Sequence, residues 1–144
     1  LPLGLGSMMI LGPNPLPTRA SLPGAPDAFV KVSINGQPQT SSGAIIDSGG
    51  VYGTILRSDI PAGVQTVNVG GIEYVPAGTE IKVYATDGTT LLYTYTAKKP
   101  GGAGTPVIDS GLFNTGNAPY QQNPVYMNYG AIPYGIGSTD FAIW

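Results

Sequence analysis

Apolar and polar residues alternate along several short segments of this chain, and turn-forming residues separate those segments. Residues 28–34 alternate strictly, as in a strand with one buried face. Asn35-Gly36 follows them directly, and this dipeptide is the strongest short-range signal for a hairpin turn. The segment at 37–46 is long enough to return as the second strand. The pattern therefore predicts a β-hairpin over residues 28–46.

Comparable segments recur through the rest of the chain. Gly70-Gly71 and Asp87-Gly88 are further turn pairs, and each of them predicts another hairpin. Residues 98–106 are rich in glycine and predict a flexible loop. The further predicted strands are, in chain order, residues 51–56, 64–69, 72–75, 80–86, 89–96, 124–129 and 139–144.

Glycine and proline decide the fold class. The 144 residues include 22 Gly and 14 Pro, which disfavour helix interiors and mark turns, so the chain is predicted to be all-β. No apolar stretch reaches the roughly 18 residues that a membrane-spanning helix needs.

A single domain is expected over residues 1–144, because the chain is long enough for one core and too short for two. Residues 1–27 are expected to hold an entering strand, at 1–11, and a crossover. The crossover at 11–17 contains three prolines, which favour an extended backbone. The core is assigned to residues 28–144.

Composition excludes most catalytic chemistries. The chain has no Cys and no His, so thiol nucleophiles, Ser-His-Asp triads and most zinc sites are ruled out. Its eight acidic residues are scattered, unlike those of a calcium loop, and we expect neither a metal nor a cofactor. Six basic residues and a net charge of -2 predict no nucleic-acid partner and no membrane insertion. What remains is carboxylate chemistry, or no chemistry.

The best candidate for carboxylate chemistry is Asp47. An apolar run at residues 44–46 ends on Asp47-Ser48-Gly49, and Gly50 follows. A carboxylate at the end of a buried strand, in a turn rich in glycine, fits an activated acid better than a solvated one. The alternative is an ordinary turn acid at a strand end, whose carboxylate accepts hydrogen bonds from its own turn.

The motif carries a resemblance to a known family. Residues 45–49, with two apolar residues before Asp-Ser-Gly, resemble the signature of pepsin-like and retropepsin-like aspartic proteases. A more specific resemblance is to the C-terminal half of the aspartic-protease domain of mycobacterial PE and PE-PGRS surface proteins. That resemblance rests on the ordered set of segments 11–17, 46–55, 83–88, 91–93, 114–116 and 124–126. It implies a pepsin-like β-barrel lobe built from hairpins.

The resemblance also implies a mechanism. In aspartic proteases two carboxylates share one proton across a water molecule, because two like charges so close cannot both ionise. Asp47 is expected to supply one catalytic carboxylate, Ser48 to brace the loop across the pseudo-twofold axis, and Gly49 to give the turn its room. Where the family often has Ser or Thr next, this chain has Gly50, so a hydrogen bond from that hydroxyl to the carboxylate is missing.

The second carboxylate has three possible sources. Asp109-Ser110-Gly111 repeats the tripeptide, but lobes of about 70 residues rarely close a core around a cleft. The favoured sources are an N-terminal lobe of the same domain, which makes this chain the C-terminal lobe, or a second copy of the chain on a twofold axis.

Two functions follow from these observations. The first is an aspartic endopeptidase lobe that cuts peptide or protein substrates, secreted or at the cell surface. The second is a non-catalytic β-sheet domain for surface display or binding, which retains the acid motif as a remnant.

Tyrosines offer two weaker hypotheses. Those of the 80–96 hairpin either overhang a cleft as a flap or pack within the sheet, and those late in the chain either form a carbohydrate-binding face or pack separately. The two groups are Tyr84, Tyr93 and Tyr95, and Tyr120, Tyr126, Tyr129 and Tyr134.

Overall fold

The structure is a computed structural model, and it describes residues 9–51, 53–109, 111–130 and 136–143. The chain is nearly all β, and its main sheet curls into a half-barrel, which confirms the predicted all-β, pepsin-like class. Across the described ranges, no helix has the length and apolar character needed to cross a membrane.

The described residues form twelve strands and two short helical elements. The helical elements are a single 3-10 turn at Arg57–Asp59 and the helix α1 at Ala118–Gln122. The strands are β1 (Thr18–Pro23), β2 (Asp27–Ile34), β3 (Thr40–Ile45), β4 (Thr54–Leu56), β5 (Val67–Val69), β6 (Ile72–Tyr74), β7 (Glu80–Tyr84), β8 (Leu91–Thr96), β9 (Val107–Asp109), β10 (Phe113–Asn114), β11 (Val125–Asn128) and β12 (Ser138–Ala142).

These strands form two sheets. The smaller sheet is antiparallel and has the order β1-β12-β11. The larger has the order β5-β6-β9-β4-β10-β3-β2-β7-β8. Most of its pairs are antiparallel, but β10 runs parallel to β3, and β9 runs parallel to β4. Parallel neighbours need long connections, so the centre of this sheet depends on contacts between residues distant in sequence.

The first predicted hairpin is confirmed. β2 pairs with β3 in antiparallel register, and Val32 lies opposite Thr40. Asn35 and Gly36 have φ values of 50° and 71°, in the left-handed region that this tight turn requires. The carbonyl of Ile34 accepts a hydrogen bond from the Gln37 N–H at 3.0 Å, which closes the turn.

The other two predicted hairpins are also confirmed. β5 pairs with β6 around Gly70-Gly71, and β7 pairs with β8 around Asp87-Gly88. Asp87 stabilises its turn by accepting the backbone N–H of Thr89 and of Thr90, each at 2.8 Å. The Thr90 hydroxyl donates a third bond at 2.6 Å. The Thr90 hydroxyl and these amides lower the pKa of Asp87 to about 2.

The prediction of a strand at the start of the chain is wrong for residues 9–11, the part of it that the structure describes. Residues 9–11 carry no strand, and residues 1–8 lie outside the described ranges. The first strand is β1, which begins directly after the proline-rich crossover and was not predicted. The strand predicted at 51–56 shortens to β4, and Tyr52 lies outside the described ranges. The strands predicted late in the chain correspond to β11 and β12, although Trp144 is not among the described residues.

Strand β10 fills the centre of the larger sheet. It was not predicted, because two residues carry no periodicity. Phe113 lies opposite Ala44 of β3, and Asn114 lies opposite Thr54 of β4. The Phe113 ring is only 1% exposed and belongs to the main hydrophobic cluster. Burial of this ring therefore fixes β10 between its neighbours.

The tyrosines of β8 pack inside the molecule. Tyr93 is buried, and its ring stacks on that of Tyr95 with centroids 6.3 Å apart and planes 9° from parallel. A buried ring cannot overhang a cleft, so the flap hypothesis is wrong for Tyr93. Tyr95 is half-buried and packs against the hydrophobic core, and for Tyr95 and Tyr84 the flap hypothesis stays a prediction. Of the later tyrosines, Tyr134 falls outside the described ranges.

Truncating Phe113, the buried residue of β10, is expected to destabilise the fold strongly. Phe113→Ala should lower the free energy of unfolding by about 3–5 kcal/mol, because it leaves a cavity in the core. The neighbouring Leu112 is 43% exposed. Leu112→Ala should therefore change stability by only about 0.5 kcal/mol or less. Urea denaturation measures both, and equal losses would contradict the packing described for β10.

The Asp87 turn predicts a pH-dependent stability. Asp87→Asn should lower the melting temperature at neutral pH, because the folded protein favours the charged form of this carboxylate. A folded-state pKa below that of the unfolded chain gives stability above pH 4, and this is lost as pH falls from about 4 to about 2. Thermal melts over this range should show the two proteins converge. A difference that stays constant with pH would contradict the assignment.

Candidate active site

The loop between β3 and β4 carries Asp47, and the two residues before it are hydrogen-bonded to segments on either side of β3. Ile46 is 2% exposed, and its N–H donates to the carbonyl of Pro26 at 3.0 Å. On the other side, the carbonyl of Ile45 accepts the N–H of Thr115 at 3.1 Å. The chain therefore leaves the sheet at a fixed point, with Asp47 as the first residue of the turn.

Both oxygens of the Asp47 carboxylate accept hydrogen bonds. Oδ1 accepts the backbone N–H of Gly49 at 2.9 Å, and Oδ2 accepts the side-chain amide Nδ2 of Asn114 at 2.9 Å. The backbone N–H of Asp47 donates to the Thr115 hydroxyl at 3.2 Å. The side chain is half-buried. Asp47 is thus held in one orientation by its own turn and by β10.

The hydrogen bonds favour the ionised form of Asp47. The amide of Asn114 lowers the pKa of this carboxyl, and the backbone amides of Gly49 and Gly50 act in the same direction. Partial burial opposes them and does not cancel the shift. The carboxylate is therefore charged at neutral pH and suited to accept a proton.

The other two predicted site residues lie beside Asp47. Ser48 is exposed, so its hydroxyl is accessible to another segment, and its bracing role stays a prediction. Gly49 contributes its N–H. A Cβ at Gly49 would approach Asp47 Oδ1 at 3.4 Å, an ordinary contact, so the structure gives no steric need for glycine there.

A steric requirement for glycine is found instead at Gly53. Its φ is 67°, and a Cβ there would lie 2.4 Å from the backbone oxygen of Asn114. No side chain fits such a gap, and a positive φ is strained for other residues. Gly53 thus allows β4 to approach β10, and sequence reasoning assigned it no role.

Asn114 and Thr115 are the site residues that sequence reasoning missed. Asn114 Oδ1 accepts the N–H of Gly116 at 2.8 Å, and its backbone N–H donates to the Thr54 hydroxyl at 3.0 Å. The available signal was the pattern of Asn-Thr-Gly after Phe113, which has the same form as Asp-Ser-Gly after Ile46. Its contact with Asp47 could not be read from the sequence because 67 residues separate the two.

Tyr120 of α1 lies beneath the loop. Its hydroxyl donates to the Ile46 carbonyl at 3.4 Å, a long bond. Burial raises the pKa of Tyr120 to about 12, with smaller effects from the nearby Tyr129 and Asp47. The phenol is therefore neutral over the working range of a carboxylate.

Asp109 does not join the site. It is exposed at the end of β9, and its Oδ1 accepts the N–H of Gly111 at 2.7 Å, as expected for a turn acid. β9 and β3 are separated by three strand spacings, about 14 Å across the sheet. Among the described residues no hydrogen bond joins Asp109 to Asp47. Ser110 is not among those residues.

The described residues contain no cluster of three or more His, Cys, Asp or Glu side chains that could hold a metal ion. A cavity of about 220 Å³ opens beside the Asp47 loop and reaches Val51 and Thr115. Its other walls come from the end of β8, the loop after it and α1. Val51 of the Asp47 loop and Thr115 line this cavity, whereas Asp47 itself is not among its lining residues.

A nearly all-β scaffold, an Asp-Ser-Gly loop between two strands, and a third strand inserted between them define one lobe of the pepsin-like, aspartic-protease class of fold. The chain matches the family described as the PE-PGRS C-terminal aspartyl peptidase-like domain over residues 5–139, and it belongs to this family.

Two curated relatives are also mycobacterial proteins with a cleavage function in their name. The chain is 38% identical over 136 residues to PE cleavage protein A of Mycobacterium tuberculosis, covering 92% of this chain and 21% of that protein. It is 43% identical over 140 residues to PE cleavage protein A of Mycobacterium marinum, covering 94% of this chain and 22% of that protein. The chain thus spans about a fifth of the length of these relatives.

The contact between Thr115 and the loop predicts a specific loss of stability. Thr115 is 4% exposed, and Thr115→Val removes the acceptor of the Asp47 N–H without changing the size of the side chain. We expect a loss of about 1–3 kcal/mol in the free energy of unfolding. Thr115→Ser keeps the hydroxyl and should cost only about 0.8 kcal/mol, for the lost methyl. A valine variant as stable as the serine variant would contradict this role.

Proposed function

We propose that this chain contributes one carboxylate, that of Asp47, to the site of an aspartic endopeptidase. The observation that carries the proposal is the Asp47 carboxylate itself, held through both oxygens and kept ionised at the end of β3. One of these two hydrogen bonds comes from Asn114 of β10, which is 67 residues away in the sequence. Membership in an aspartyl peptidase-like family supports the same chemistry.

The proposed reaction needs a second carboxylate. None of the hydrogen bonds to Asp47 comes from another acid within the described ranges. We propose that the partner belongs to an N-terminal lobe of the same protein, or to a second copy of this chain on a twofold axis. The small share of the relatives' length that this chain covers favours the first source.

Asp47 takes the role of the ionised member of the pair. It accepts a proton from the water that attacks the peptide carbonyl, while the protonated partner polarises that carbonyl by hydrogen bonding. As the C–N bond breaks, the proton taken up by Asp47 passes to the leaving amine, and the pair returns to one ionised and one protonated carboxyl. The hydrogen bonds from Asn114 and Gly49 stabilise the charge that this role requires. The two carboxyls titrate as a pair, so the apparent pKa values of activity belong to both.

The proposed substrate is a polypeptide in an extended conformation, lying along the cleft beside the loop. The relatives are named for cleavage of PE, and we propose a PE-type polypeptide as the substrate class here. We also propose that the protein acts at the cell surface or outside the cell. The scarcity of charged residues, 10% against about a quarter in a typical domain, gives this location modest support.

The decisive test uses isosteric carboxamide variants of the full-length protein. Asp47→Asn keeps the shape of the side chain and removes its charge, so peptide-bond cleavage should fall at least about 100-fold. Asp109→Asn is the matched control, since it alters the same Asp-Ser-Gly motif at an exposed turn, and it should keep the parent activity. Activity retained in Asp47→Asn, or lost only in Asp109→Asn, would reject the proposal.

A further inference from the structure

The Asp47 loop lacks a hydroxyl where related loops often carry one. Position 50 is glycine, and a Cβ placed there would lie 3.0 Å from Asp47 Oδ2 and 3.0 Å from Asn114 Oδ1. Its φ is not in the left-handed region, so backbone conformation does not explain the glycine. The space beside Oδ2 that a side chain at position 50 would enter is filled instead by the carboxamide of Asn114.

We propose that Asn114 is a positioning residue for the Asp47 carboxylate, and that its carboxamide supplies from β10 the side-chain hydrogen bond that a glycine at position 50 cannot give. The inference rests on the proposed function, because a carboxylate needs such positioning only where its orientation matters. Gly50 and Asn114 then form a matched pair, in which the glycine leaves room for the amide.

The surroundings of Asn114 fix which end of the amide faces Asp47. Its Oδ1 accepts the N–H of Gly116 at 2.8 Å, so its Nδ2 is the group directed at Asp47 Oδ2, 2.9 Å away. Rotating the amide by half a turn would set oxygen against carboxylate and amine against N–H, two repulsive contacts. The backbone bond to Thr54 and the buried Phe113 hold the residue itself.

This arrangement has an electrostatic consequence. An N–H donor stabilises a carboxylate more than a neutral carboxyl, so loss of Asn114 should raise the pKa of Asp47. The titratable group that faces Asp47 from α1 is Tyr120, which stays neutral at acid and neutral pH. Activity that needs ionised Asp47 is lost as pH falls through its pKa. The acid limb of the pH profile should therefore move to higher pH.

The experiment compares Asn114→Leu with Asn114→Ala in the full-length protein. Asn114→Leu keeps roughly the size of the side chain but removes the N–H donor to Asp47 without adding a charge. Both variants should move the acid limb of kcat/KM up by about one pH unit, the value of one charged hydrogen bond, and should lower kcat more than they change KM. The control is Asn68→Ala, since Asn68 Oδ1 accepts the N–H of Gly71 in a turn that makes no contact with Asp47. A purely structural asparagine would lower activity at all pH values alike, and an unmoved limb would overturn the inference.

A second readout does not need activity. Esterification of Asp47 by a diazo reagent, which consumes protonated carboxyls, is followed against pH by mass spectrometry. The half-reaction pH should rise in both Asn114 variants and stay unchanged in Asn68→Ala. If the parent protein proves inactive, the proposed function fails while this readout still decides the role of Asn114. Equal half-reaction pH in parent and variants would overturn it.

The matched pair is tested by a double-mutant cycle. Gly50→Ser should reduce kcat/KM more in the parent than in the Asn114→Ala background, because the new Cβ collides with the Asn114 carboxamide only in the parent. If the losses in kcat/KM of the two single variants simply add in the double variant, the two positions do not share the space beside Oδ2. That result would contradict the pairing.

Discussion

The insertion of β10 between β3 and β4 is the contact on which the site depends. Without it, the two strands that flank the Asp47 loop would have no common neighbour, and the carboxylate would keep only the bond from its own turn. Phe113 drives the insertion through burial, and Gly53 permits it by leaving no side chain in the way. Asn114 and Thr115 then reach the loop as the residues that follow the buried ring. Core packing and site geometry thus have one origin.

A single oriented carboxylate is half of a catalytic pair. Two like charges at close range repel, so one member must be ionised and the other protonated. The hydrogen bonds around Asp47 suit the ionised member, and they outweigh the partial burial that favours the neutral form. Asp109 carries the same tripeptide but ends a different strand, and among the described residues its side chain accepts a hydrogen bond from Gly111 of its own turn. The two aspartates therefore have different environments, and the environment decides their chemistry.

Local signals in the sequence predicted the hairpins correctly. The turns at Asn35-Gly36 and Gly70-Gly71 each place two adjacent residues in the left-handed region. Asn and Gly adopt that conformation most readily, so the dipeptides themselves predict the turns. β1 and β10 were missed because each forms against partners far along the chain, and two residues of β10 carry no period. For the site, the motif predicted Asp47, and the absent hydroxyl at Gly50 was visible. What replaced that hydroxyl was not visible, because only the fold brings Asn114 to the loop.

The central claim is that Asp47 is one half of a carboxylate pair. The most direct measurement is the distance from its carboxylate to the nearest other carboxylate in a crystal structure of the full-length protein. The account predicts a second acid, from another segment or another copy, with an oxygen about 3 Å away. An Asp47 side chain that faces open solvent, with no acid near it in any assembly, would contradict the account.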